Sequence, residues 1–154
     1  MKPSLEVSDG SVVHRIDGIA LDWSFAIKDI LLIAEYTTDE GPDVDDYFLI
    51  FVTVVKGTLH FSGCSFYTSG RDEVFEELRE VHGMPSEFGL RTSTEWASRV
   101  IWPIQLAGEQ YFQFTEIKPV GLLAKLRRSI QGPQLEYRVR DSILTFLRPK
   151  EADL

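Results

Sequence analysis

The sequence predicts an α+β fold: an antiparallel β-meander of about five strands packed by an amphipathic helix, then a second helix and a C-terminal strand pair. Three observations carry this. Strand-patterned segments outnumber helix-patterned ones and cluster ahead of each helix, which excludes the regular βαβ alternation of a doubly wound fold. Asp17-Gly18 separates two strand-like runs, the composition of a type I′ hairpin loop in which both central residues need positive φ. Between Asp72 and His82 the apolar period changes to the helical one.

The elements follow in order. Ser11 to Ile16 leads into the Asp17-Gly18 turn, and the return strand places Ile19, Leu21, Trp23 and Phe25 on one face and Ala20, Asp22 and Ser24 on the other. Asp29 to Tyr36 and Tyr47 to Val55 are continuously apolar, as strands covered on both faces are. Lys56-Gly57 turns the chain into Thr58 to Ser62, and Gly63 is expected to bend it ahead of Phe66 and Tyr67. In the helix, Val74, Phe75, Leu78 and Val81 form the inward stripe, acids crowd the first turn, His82 sits in the last and Gly83 is the C′ residue. Residues 84–110 stay ambiguous. Thr92 and Glu95 have capping-box spacing for a short helix before Pro103, whereas Arg99 to Trp102 also fit a strand end.

Tyr111 to Ile117 reads as extended. Pro119 opens a second helix with Leu122, Leu123, Leu126 and Ile130 expected inward and Lys125, Arg127 and Arg128 outward, until Gly132-Pro133 stops it. Leu135, Tyr137 and Val139 alternate with Glu136, Arg138 and Arg140, and Asp141-Ser142 is expected to turn that strand into a partner at Ile143 to Leu147. The length predicts one domain over 1–154, with 1–10 and 149–154 as frayed ends. The meander closing onto an amphipathic helix resembles the pleckstrin-homology-like arrangement through roughly residues 11–83. That resemblance lies in element order alone and implies a fold, not an activity.

Composition narrows the function. At 44% hydrophobic and 26% charged residues, the chain is too apolar for intrinsic disorder. Its longest apolar run, Tyr47 to Val55, is half of what a bilayer span of about 20 residues needs, so no transmembrane segment is expected. The N-terminus lacks the apolar core of a secretory signal. Cys64 has no cysteine to pair with and there is no Asn to glycosylate, which together favour a cytoplasmic location. Charge is unevenly spread. Residues 1–98 carry 7 basic and 18 acidic residues, a net −11, while 99–154 carry 9 and 6, a net +3.

Recognisable catalytic and cofactor motifs are missing. No phosphate-binding loop or dinucleotide fingerprint occurs, so no cofactor is expected. Gly63-Cys64-Ser65-Phe66-Tyr67 departs from a nucleophile elbow at Tyr67, where the turn needs a small residue. His60 and Cys64 lie about 13 Å apart on an extended strand, too far to share a metal, and His14 and His82 supply no clear third ligand. The loop TTDEGPDVDD, Thr37 to Asp46, is acidic and includes the short Asp43-Val44-Asp45 pattern, but it lacks EF-hand spacing, so no metal site is expected. Glu35, following Ile30 to Ala34, is the acid best placed for burial. Its ordinary role is a strand end paired with a basic neighbour.

What remains is a non-catalytic protein-interaction module or a self-associating domain. Its candidate interaction face is Lys125, Arg127, Arg128, Arg138 and Arg140, near Tyr137. Nucleic acid and membrane surfaces are disfavoured as partners by the net charge of −8. The alternative is a small enzyme or ligand-binding protein with a pocket beside the meander lined by Glu35, His60 or Cys64.

Overall fold

The computed structural model describes residues 2–39, 45–84, 88, 90, 96–116, 118, 120–131 and 135–148. They are α+β with predominantly antiparallel pairing, and they divide into two compact units, one over Met1–Tyr111 and one over Phe112–Arg148. No helix among the described residues is long and apolar enough to cross a membrane.

The first unit opens with β1 (Pro3–Ser8), β2 (Ser11–Ile16) and β3 (Ala20–Ala26), an antiparallel sheet in that order. Residues 3–8, expected to fray, are therefore a paired strand, in register from Pro3↔Ile16 to Ser8↔Ser11. The reason is a second Asp-Gly loop: Asp9 (φ 49) and Gly10 (φ 74) repeat the geometry of Asp17 (φ 55) and Gly18 (φ 70), which is the type I′ hairpin conformation. The expected single face for Ile19, Leu21, Trp23 and Phe25 is broken by a bulge: Trp23 pairs with His14 but Leu21 pairs with Arg15, so Leu21 lies on the other face from Trp23 and is 58% exposed, and Ile19 is 85% exposed.

A 3-10 turn over Ile27–Asp29 leads to β4 (Ile30–Thr37). With β5 (Tyr47–Val55), β6 (Thr58–Ser65) and β7 (Ala97–Trp102) it forms a second antiparallel sheet, ordered β6-β5-β4-β7. Both faces of β4 and β5 are buried. Ile33, Leu49 and Phe51 belong to the main core, while Leu32, Ala34, Ile50 and Val52 lie on the opposite face. Gly63 does not bulge β6, because the pairing with β5 runs unbroken from Phe48↔Ser65 to Val55↔Thr58. Of the two readings of Arg99 to Trp102, the strand holds, since β7 pairs with β4 from Thr37↔Ala97 to Ile33↔Trp102. The Thr92–Glu95 capping box lies outside the described residues.

Helix α1 (Arg71–His82) packs Val74, Phe75 and Leu78 into the core, whereas Val81 is turned outward. Gly83 ends it in the left-handed conformation, donating its N–H to the Arg79 carbonyl at 2.8 Å. Gly70 starts it under a stricter constraint: its φ is +86°, and a Cβ there would stand 1.9 Å from the Leu5 carbonyl oxygen. The close approach lets Leu5 N–H reach the Ser69 carbonyl at 2.7 Å, covering the free edge of β1. The Trp23 indole N–H reaches the Gly63 carbonyl at 3.1 Å and ties β3 to β6. Between the sheets and α1 lies an aromatic core, with Tyr47 and Phe66 stacked at 4.0 Å and Phe88 edge-on to both Phe66 and Phe75.

The second unit consists of β8 (Phe112–Glu116), α2 (Leu122–Gln131), β9 (Leu135–Val139) and α3 (Asp141–Leu147). β8 and β9 pair antiparallel, from Phe112↔Val139 to Glu116↔Leu135, so the partner of the basic strand is β8. Ile143 to Leu147, expected as a strand, is helical. Ile143 and Leu147 are buried while Thr145 between them is exposed, which a helix achieves and a strand, placing all three on one face, does not. The element order through α1 matches the expected meander onto a helix, but the sheet is completed afterwards by β7, beyond the stretch that resembles a pleckstrin-homology arrangement. The expected stop at Gly132-Pro133 and the frayed end at 149–154 lie outside the described residues.

Candidate functional site

Glu35 is the most deeply buried acid among the described residues of the first unit. It faces the core from β4, opposite Leu49 on β5 and Arg99 on β7, with no exposed surface. The Tyr47 hydroxyl donates to its Oε2. Its Oε1 accepts the Leu90 backbone N–H at 3.0 Å and lies 3.2 Å from Arg99 Nε. Both carboxylate oxygens are thus committed to the protein, in an arrangement that fastens β7 and Leu90 to the sheet. A general acid or base needs an oxygen turned toward a substrate, and this one is turned toward its own fold.

Cys64 shares that face but stands beyond Leu49, since Leu49 pairs with Glu35 on one side and with Cys64 on the other. Burial pushes its thiol up to about 12, opposed only in part by the Thr68 hydroxyl and the Arg71 charge. A thiol held protonated is a poor nucleophile and a poor metal ligand. His60 is exposed near the other end of β6, about 13 Å along an extended strand from Cys64. The three residues of the pocket alternative do not converge.

The other histidines serve the fold. His14 Nδ1 lies 3.1 Å from Asp22 Oδ2, with its ring stacked on Trp23 at 4.9 Å, and His82 Nε2 lies 2.8 Å from the Ile27 carbonyl. Of the acidic loop, Asp39 accepts the Trp96 indole N–H at 2.9 Å, while residues 40–44, with the Asp43-Val44 part of the short acidic pattern, lie outside the described residues. Among the described residues no group of three or more His, Cys, Asp or Glu converges as a metal site. Two clefts of about 310 and 370 Å³ flank the start of α1, one lined by Lys2 and Asp45 and the other by Arg71, Asp72 and Glu73.

The second unit holds the predicted cationic residues. Lys125 and Arg127 are exposed on α2, Arg138 is exposed on β9 3.8 Å from Asp141, and Arg140 is half-buried just before α3. The side chains of Arg128 and Tyr137 lie outside the described part of the structure. What sequence reasoning missed is the other side of α2. Leu122, Leu123, Leu126 and Ile130, expected inward, are exposed at 85%, 80%, 57% and 76%. At 100° per residue they make one stripe, with Lys125 and Arg127 on its two flanks. Leu123, Leu126, Arg127 and Ile130 line a shallow groove of about 300 Å³. Periodicity identified the stripe; it carries no information about whether anything covers it.

No family model, no curated protein and no solved structure matches the chain.

Proposed function

We propose that the protein is a non-catalytic protein-interaction module whose docking element is α2. The observation that carries this is the uncovered apolar stripe between two cations. Leu123, Leu126 and Ile130 stand at i, i+3 and i+7, and Leu122, Leu126 and Ile130 at i, i+4 and i+8, the spacing with which an amphipathic helix anchors in a partner's groove. Covering one such side chain stabilises a complex by about 1.5–3 kcal/mol before the costs of association. The flanking cations select a partner with carboxylates around that groove. The overall charge of −8 works against polyanions and anionic lipid as long-range partners. The lone, buried Cys64 fits a reducing, cytoplasmic setting.

The pocket alternative is weaker, because the Glu35 oxygens are engaged, the Cys64 thiol is protonated and His60 stands apart. The test is affinity capture by the full chain and two variants. One carries Leu123→Glu with Leu126→Glu, and the other carries Glu at Lys125, Arg127, Arg128, Arg138 and Arg140. Both should lose the partner while circular dichroism stays unchanged. Capture that survives both sets sinks the proposal.

A further inference from the structure

The module reading leaves the partner open, and the chain itself offers a surface of matching chemistry. The first unit, Met1–Tyr111, carries 8 basic and 19 acidic residues, a net −11, and the second, Phe112–Arg148, carries 7 and 3, a net +4. At the tip of the β2–β3 hairpin Ile19 and Leu21 are 85% and 58% exposed, and they stand between Asp17 and Asp22, both exposed. This is an exposed apolar pair beside the Asp17 carboxylate, with Arg15, opposite Leu21, paired to Glu6 at 2.9 Å. On α2, Leu126 and Ile130 form an apolar pair flanked by Lys125 and Arg127.

Resting on the module reading, we propose that the partner is a second copy of this chain, with α2 of one copy covering the Ile19–Leu21 hairpin tip of the next. Two α2 stripes facing one another would bring Lys125 and Arg127 against their like, so the contact joins unlike surfaces. Such a contact closes into a ring when two or more copies reciprocate and otherwise extends as a chain.

Sedimentation equilibrium of the full chain over a wide concentration range tests this. The expected mass rises from 17.6 kDa to multiples of it with concentration. Added salt should weaken the association, because exposed charge pairs are screened. Leu126→Glu on α2, or Leu21→Lys on the hairpin, should each weaken it by about tenfold or more. Lys125→Glu with Arg127→Glu, or Asp17→Lys alone, should weaken it by about fivefold, and combining the two sets should restore most of the loss. Circular dichroism checks that each variant is folded. A chain that stays monomeric at every concentration overturns the proposal. So does a multimer indifferent to Leu126→Glu, or a charge exchange that restores nothing. If the monomer still captures a different protein through Leu126, the second-copy contact falls and the module reading stands.

Discussion

Replacing Glu35 by Ala removes the carboxylate shared by two hydrogen-bond donors and the Arg99 ion pair, and the structure fixes what each then loses. Tyr47 is 2% exposed, so loss of the Glu35 acceptor from its hydroxyl costs about 1–3 kcal/mol. The Leu90 N–H, part-buried, loses a charged acceptor at a cost of about 1–2 kcal/mol. Removing one partner of a fully buried ion pair costs about 3–5 kcal/mol. Here the Arg99 side chain is 31% exposed and regains most of its hydration, which cuts its share to about 1–2 kcal/mol and puts the sum of the three near its lower end, about 3–4 kcal/mol. Glu35→Gln keeps the shape and one carbonyl acceptor, so it should cost only about 1–2 kcal/mol. Urea unfolding followed by tryptophan fluorescence is the assay, since Trp23, Trp96 and Trp102 all belong to the first unit and report it alone. A shift of the midpoint at constant slope gives the difference directly. A loss below about 1 kcal/mol for Glu35→Ala, or equal losses for Ala and Gln, would refute the account of Glu35 as a structural acceptor.

Gly70→Ala should destabilise the first unit by more than about 2 kcal/mol, since its Cβ meets the Leu5 carbonyl as well as an unfavourable φ. Gly10→Ala, with a φ of +74° but open space around it, should cost about 1 kcal/mol in the same urea series. Cys64 should resist iodoacetamide at pH 8 in the folded protein and react once urea unfolds it, because burial holds the thiol near 12; equal rates in both states would contradict this. Burial also holds the Tyr111 phenol above its ordinary value. A protonated form favoured by folding gives stability that is complete below the unfolded value of about 10 and declines as pH rises through it, which an alkaline unfolding series reads. In the second unit, Leu126→Glu should leave thermal stability within about 0.5 kcal/mol, whereas Ile143→Ala, at 0% exposure, should cost about 2–4 kcal/mol. The reverse order would mean that α2 is covered and α3 is not.

Local chemistry determined much of this protein. Asp17-Gly18 and Lys56-Gly57 specify hairpins because both residues of each loop must take positive φ, and the structure finds them there. Asp9-Gly10 encodes a third in the same way, legible in the sequence although the N-terminus was expected to fray. The stripe of α1 and its Gly83 stop are equally local. Other outcomes needed the tertiary structure. Ile143 and Leu147 fit a strand run or a helix face until the exposure of Thr145 between them selects the helix, and Arg99 to Trp102 becomes a strand because β4 has an edge for it. Glu35 read as a strand end; its fate depended on Tyr47, Arg99 and Leu90, which lie 12 to 64 residues away in the chain. Above all, an amphipathic pattern fixes which side of α2 is apolar, and only the placement of every other element decides whether that side is core or surface. Periodicity is a property of a segment, but burial is a property of the whole fold.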